Sequence, residues 1–253
     1  MTNAEFKARM AARAPLIGAF LKTPHPIVIE VMARAGFDFV VVDAEHAPFD
    51  RGSADAMVMM GRAIGLPVVV RVPMATPDWV LGMADSGAAG LMVPHVETPA
   101  QAQALAKSLA YVPGGRGFAG TTRAAEYARR SLSEHLGRAR DEIALICQIE
   151  DPEGVTNAGA IAAVEGVDAL FIGRADLAVS HGLDDFFAPE VAEMTRTILG
   201  AEGCATGLYC APSETLDAHR AAGGSLFVVG SDHTLLQGGG GALTQSFRSA
   251  FPA

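Results

Sequence analysis

The stretch VVVDAEHAPFD, residues 40–50, places three ionisable residues, Asp43, Glu45 and His46, at the end of a run of branched apolar side chains. Acids and imidazoles are costly to bury unpaired, so their place at the tip of a core strand points to a site. The pattern recurs: Arg71 ends VVVRV, Gln148 and Glu150 end ICQIE, and Arg174 and Asp176 follow ALFIG. An imidazole with a carboxylate to orient it, here His46 with Asp43, is a general base near neutral pH. The guanidinium of Arg71 has the donors to hold a developing oxyanion. Glu150 and Asp176 are two carboxylates from adjacent strand ends, a donor set for a hard divalent ion such as Mg2+ or Mn2+ that keeps several waters. Each residue also has a plainer role: a cap or loop acid for Glu150 and Asp176, charge neutralisation for Arg71, a structural hydrogen bond for His46. Convergence of all of them on one place is what favours chemistry.

Three further residues have roles set by position. Glu45 lies on the alternate pleat and is expected to point elsewhere, as a salt bridge or cap. Asp85, in the helical stretch PDWVLGMADSG, is expected to cap or to support the hydrogen-bond network of His46. His95, in VPHVE, is expected to pack at a strand end. No lysine stands at a strand end in this set, which argues against Schiff-base chemistry.

The elements that must hold these residues follow a regular beat. Short apolar runs at residues 16–20, 39–45, 67–72, 90–96, 143–150, 169–173, 205–211 and 225–230 alternate with amphipathic segments that open on Pro, Ser, Thr or Asn and close on Gly. Near-continuous apolar strands joined by helices predict a parallel sheet covered on both faces or closed on itself. Eight such units in one chain of this length predict a single (β/α)8 barrel spanning residues 1–253, with a helix before the first strand. A doubly wound open sheet is the alternative, and it lacks its Gly-rich fingerprint after the first strand, where the chain reads FLKTPHP. Residues 111–141 exceed a plain connection; their GGRGF motif predicts a loop beside the active site, and a floppy surface insertion is the alternative.

Composition excludes several classes. A net charge of -9 argues against a polyanion-binding surface, so nucleic acid and anionic membranes are not expected partners. No run approaches a bilayer span, and the N-terminal stretch has no apolar core of a secretory signal. Three cysteines, Cys147, Cys204 and Cys210, form no paired framework and read as small buried hydrophobes, so a cytoplasmic protein is expected.

Six ordered motifs carry a resemblance over nearly the whole chain: GFDFVVVDAEHAPFD, VVVRVP, GLMVPHVETPAQA, PGGRGFAG, QIEDPEG and VDALFIGRADLA. They resemble the HpcH/HpaI family of class II pyruvate aldolases, which act on 4-hydroxy-2-oxoacids. The resemblance implies a divalent cation (Mg2+, Mn2+ or Co2+) on Glu150 and Asp176. It implies substrate contacts from Gln148, an enolate-stabilising Arg71, and a pyruvate carboxylate received by the backbone of Gly173, Arg174 and Ala175. It further implies catalytic His46 with Asp43 as partner, Asp85 in the supporting network, and assembly as a hexamer, a trimer of dimers, with the C-terminal helix packed on a neighbour. Two departures concern the aldehyde acceptor. Arg174 replaces the proline of the usual Gly-Pro-x-Asp-Leu loop, either to meet an anionic aldehyde or to form a salt bridge. Phe20 stands where the family often has tryptophan. Two rival functions are a lyase of the citrate lyase and malyl-CoA lyase group acting on a CoA ester, and a non-catalytic barrel that binds a keto acid.

Overall fold

The computed structural model describes residues 1–211, 214 and 216–251. Eight parallel strands close a barrel in chain order: β1 Leu16–Leu21, β2 Phe39–Asp43, β3 Val68–Arg71, β4 Gly90–Val93, β5 Ala144–Ile149, β6 Ala169–Ile172, β7 Ala205–Tyr209 and β8 Leu226–Ser231. The helices are α1 Asn3–Ala11, α2 Ile27–Ala35, α3 Arg51–Ile64, α4 Pro77–Ser86, α5 Pro99–Leu109, α6 Leu132–Glu142, α7 Pro152–Ala162, α8 Arg174–Ser180, α9 Pro189–Leu199, α10 Leu216–Ala221 and α11 Asp232–Ser249. The predicted (β/α)8 barrel is therefore the fold, and the strands end one to three residues short of several apolar runs.

The strands are apolar on both faces because each face is buried. One alternating set, including Phe20, Phe39, Val41, Val69, Ile146 and Phe171, fills the barrel interior. The other, including Val40, Val42, Val68, Val70, Leu145 and Ile172, meets the surrounding helices. A period of two carries the interior set upward to Asp43, Arg71, Gln148, Glu150 and Gly173, so strand parity alone aims these residues at the open end.

The opposite end is sealed by α1, which starts in a capping box between Thr2 and Glu5. Its Phe6 ring lies 5.3 Å from that of Phe39. Lys7 donates to the Ile143 carbonyl at 2.7 Å and pairs with Asp168 at 3.1 Å, while Arg9 bonds Asp38 at 3.0 Å. Gly18 leaves room for this plug, since a Cβ there would stand 2.5 Å from the Phe39 ring.

The 111–141 segment corrects an expectation. It lies at the sealed end within one chain and is neither a loop over the mouth nor a floppy insertion. The reason is direction: α5 runs away from the mouth, so the chain leaves Leu109 at the closed end and stays there. Arg116 bonds Asp85 at 2.5 Å, Arg123 bonds Asp55 at 2.6 Å and the Ser86 carbonyl at 3.1 Å, and Arg130 bonds Glu142 at 2.8 Å. The segment also contains its own helix, α6.

No helix among the described residues is long and apolar enough to cross a membrane. All three cysteines are free and buried. Burial pushes the Cys147 thiol up to about 12 and those of Cys204 and Cys210 up to about 11. A thiol reagent at about pH 8 is therefore expected to leave the folded protein unlabelled and to titrate all three thiols in denaturant. Rapid labelling of the native protein would contradict this burial.

Candidate active site

Asp43 and Arg71 are register partners on β2 and β3. Asp43 Oδ1 accepts from Arg71 Nε at 3.0 Å and Nη2 at 2.8 Å, and both residues are buried. Burial of the Asp43 carboxyl opposes its ionisation, but the Arg71 guanidinium, the His46 N–H and the Lys22 charge together outweigh it and hold the group below the usual carboxylate range. The guanidinium also lies over the Phe20 ring, 4.7 Å from its centroid. With Nε and Nη2 engaged, Nη1 has no hydrogen-bond acceptor among the described residues. The fork is thus fixed from one side and offers a free donor on the other.

The partner of His46 differs from the expected one. Asp43 accepts a hydrogen bond from the His46 backbone N–H at 3.1 Å, so it shapes the turn rather than orienting the ring. The ring lies 3.8 Å from Glu45 Oε2, which in turn is 3.3 Å from Arg71 Nε. Glu45 therefore faces the same cluster instead of pointing away. Strand alternation failed as a guide because β2 ends at Asp43 and residues 44–46 form a turn, where a period of two no longer applies.

Lys22 corrects another reading. β1 runs one residue longer than the apolar run, which puts Lys22 at the mouth, its Nζ 3.3 Å from Asp43 Oδ2. An amine held by a buried carboxylate is not a free nucleophile, so a Schiff-base route gains nothing from it.

A second cluster stands on β5 and the β4 tip. Glu150 is buried; its Oε1 accepts the His95 backbone N–H at 2.8 Å and its Oε2 takes the Gln148 amide. Burial raises the Glu150 carboxyl, opposed by Gln148 and His95, and the charge of Asp176 raises it further. His95 does not pack at a strand end. Its exposed ring places Nδ1 3.0 Å from Asp151 Oδ2 and 3.3 Å from Glu150 Oε1. The hydrogen bond to Asp151 raises this imidazole against the effect of burial, with Glu150 adding to it. Asp176 is exposed on the first turn of α8.

These residues fit a divalent cation. A buried carboxylate with a second acid nearby lacks a full counter-charge, and the buried Gln148 Oε1 has no hydrogen-bond partner. Gly173 keeps the space beside Glu150 open, because a Cβ there would stand 2.6 Å from Glu150 Oε2.

Two expected members lie apart. Asp85 is on the last turn of α4 at the sealed end, bonded to Arg116, so within one chain it does not support His46. It lines a cleft of about 490 Å³ on the outer wall with Asp55, Asp78 and Arg123. Arg174 turns to the loop after β7, bonding Glu214 at 2.7 and 2.6 Å and the Tyr209 carbonyl at 2.8 Å. The salt-bridge alternative is the one observed. Burial raises the Glu214 carboxyl, but the bonds from Arg174 and the Ala211 N–H outweigh it and hold it at about 2. A depressed carboxyl stabilises the fold above its unfolded value of about 4.3 and loses that contribution as pH falls toward about 2. Glu214→Gln is expected to flatten the melting-temperature profile between about pH 5 and 2, measured by circular dichroism; a profile as steep as wild type would contradict the pair's role.

A closed barrel with a buried arginine, a metal-competent carboxylate and two imidazoles at the strand C-termini defines a (β/α)8-barrel enzyme. The chain belongs to the HpcH/HpaI aldolase/citrate lyase family, whose model matches residues 16–237, and it is a carbon–carbon lyase. It is 39% identical over 249 residues to the hydroxypyruvate/pyruvate aldolase of Deinococcus radiodurans, covering 96% of this chain and 89% of that one. It is 34% identical over 251 residues to the 5-keto-4-deoxy-D-glucarate aldolase of Shigella dysenteriae, covering 96% of each. A HpcH/HpaI aldolase/citrate lyase family protein from Burkholderia cenocepacia matches with a TM-score of 0.90 at 34% identity, over 97% of this chain and 99% of that one.

Proposed function

We propose that the protein is a divalent-metal-dependent pyruvate aldolase that reversibly splits a 4-hydroxy-2-oxoacid into pyruvate and an aldehyde. The observation that carries this reading is the geometry of Arg71. Two of its nitrogens are locked on Asp43, and Nη1 is left for a substrate oxyanion. Relatives named for pyruvate, hydroxypyruvate and keto-deoxy-glucarate support a 2-oxoacid as the cleaved unit.

The chain's own groups account for the charge movements. When the C3–C4 bond breaks, the electron pair becomes the enolate of pyruvate, and Arg71 Nη1 donates to its oxygen. His46, on the turn after β2, accepts the proton of the C4 hydroxyl as the aldehyde forms. Gln148 contacts the 2-oxoacid; of Gly173, Arg174 and Ala175, the Gly173 N–H is already bonded to the Ile149 carbonyl at 3.1 Å, so the N–H groups of Arg174 and Ala175 at the start of α8 receive the carboxylate. Phe20 supplies an apolar wall beneath Arg71. Held by Glu150 and Asp176, Mg2+, Mn2+ or Co2+ supplies Lewis-acid stabilisation of the same negative charge.

Assembly as a hexamer is part of this reading. In α11, Leu236, Leu243 and Phe247 are exposed around four consecutive glycines. Each glycine costs roughly 1 kcal/mol of helix stability relative to alanine, so the helix needs a covering surface such as a neighbouring subunit. Light scattering that finds a monomer would contradict it.

The test is a panel of 4-hydroxy-2-oxoacids with pyruvate release followed by lactate dehydrogenase. Release that stops on chelation and returns with Mn2+ supports the reading. Release indifferent to chelation, or none with any member, contradicts it.

A further inference from the structure

We propose that Lys22 is a specificity-determining residue that binds the far carboxylate of the acceptor, so that the aldehyde joined to or released from pyruvate is an aldehyde acid. The inference rests on the reading of the mouth as a pyruvate aldolase site.

Strand order carries it. The eight strands close in chain order, so the β6 tip, where the 2-oxoacid carboxylate is received, stands across the barrel from β2, whose following turn carries His46. A 4-hydroxy-2-oxoacid therefore spans the mouth, with C1 at β6 and its C4 hydroxyl at His46, and the atoms beyond C4 reach the side formed by β1 and β2. Lys22 stands there. It follows β1 directly, on the same inward parity as Phe20, and β1 pairs with β2 up to Leu21 and Val42. Phe20 and Tyr209, stacked with ring centroids 6.4 Å apart, lay an apolar floor beside this ammonium. A short carbon chain ending in a carboxylate complements an apolar floor ending in a cation.

The ammonium is placed without being used up. Nζ lies 3.3 Å from Asp43 Oδ2, and that oxygen has no hydrogen-bond partner among the described residues, so the pair is a charge contact that leaves the Lys22 donors for a ligand. The Lys22 side chain is 32% exposed whereas Asp43 is wholly buried, which turns the cation toward the open side. The neighbouring guanidiniums are committed elsewhere: Arg71 is locked on Asp43, and Arg174 is held by Glu214 and the Tyr209 carbonyl. The backbone under Lys22 is fixed as well. Buried Asp232, at the start of α11, accepts from the Lys22 N–H at 2.8 Å and from the Thr23 N–H at 3.0 Å. A cation on an anchored backbone meets a carboxylate at a reduced cost in ordering.

The experiment follows aldol formation by the full-length, Mn2+-loaded protein from pyruvate and two matched pairs of acceptors, glyoxylate against acetaldehyde and 4-oxobutanoate against butanal. The wild type should favour the anionic member of at least one pair in kcat/KM. Lys22→Met should lower that anionic-to-neutral ratio by about tenfold or more, mainly through KM, the loss expected for one hydrogen bond to a charged group. Lys22→Arg should retain the ratio, and rising salt should erode it in the wild type. Each ratio is taken within one protein, so a lower yield of folded variant or a disturbed Asp43 cancels. A ratio that Lys22→Met leaves unchanged, or a wild-type ratio indifferent to salt, overturns the assignment and leaves the aldolase reading standing. Wild-type protein that exchanges the methyl protons of pyruvate and joins only the neutral aldehydes does the same. Protein that neither exchanges those protons nor joins any of the four overturns both.

Discussion

Arg71→Met is expected to slow the exchange of pyruvate methyl protons by about 10²–10³, the loss typical of removing one preorganised oxyanion donor. The argument rests on how little freedom the guanidinium has. It is buried, register-paired with Asp43 and stacked on Phe20, so its free Nη1 is already in place before substrate arrives. The same substitution leaves Asp43 buried without its partner, at a cost of about 3–5 kcal/mol. The double variant Asp43→Asn/Arg71→Met should recover much of the melting temperature and none of the exchange. That combination separates the donor's chemical role from its structural one. Exchange within about threefold of wild type in a folded Arg71→Met variant would remove the guanidinium from the mechanism.

Glu150→Gln should separate metal binding from stability in the opposite direction. Burial raises the Glu150 carboxyl, so its contribution to stability is present below the unfolded value of about 4.3 and is lost as pH rises through the folded value. At neutral pH the metal-free wild type therefore carries this charge at a cost that the amide avoids. Metal-free Glu150→Gln is expected to melt no lower than metal-free wild type. Divalent ion at about a hundred times its Kd should raise the wild-type melting temperature by about 5–10 °C and leave the variant unmoved. A variant that melts well below the metal-free wild type, or that still responds to metal, would contradict the assignment.

What the sequence disclosed follows from which rules operate where. Strand parity and the βα beat hold along the barrel wall, so the fold and the inward aim of Asp43, Arg71, Gln148 and Glu150 were legible. Parity stops where a strand stops. Glu45 and His46 lie on a turn, and the approach of the His46 ring to Glu45 instead of Asp43, like that of Glu45 to Arg71, depends on turn geometry that periodicity does not encode. His95 reads as a packing residue because a lone histidine after a strand has no spacing signal; the acids at 150 and 151 that meet it come from the next strand. Lys22 was hidden by a strand end misplaced by one residue. Asp85 and the 111–141 segment were placed by motif, and the direction of α4 and α5 carries both to the closed end. Arg174 was an open choice that only the position of Glu214 in space could settle.

The most direct test of the central reading needs no knowledge of the aldehyde. Metal-stripped protein is incubated with pyruvate in D₂O, Mn2+ or Mg2+ is added, and the methyl signal is followed by proton NMR. The enolate site predicts exchange that begins only with metal, is absent in Glu150→Ala and Asp176→Ala, and is slower by about 10²–10³ in Arg71→Met. A folded, metal-loaded protein that leaves the methyl signal unchanged would show that pyruvate is not the unit this mouth ionises.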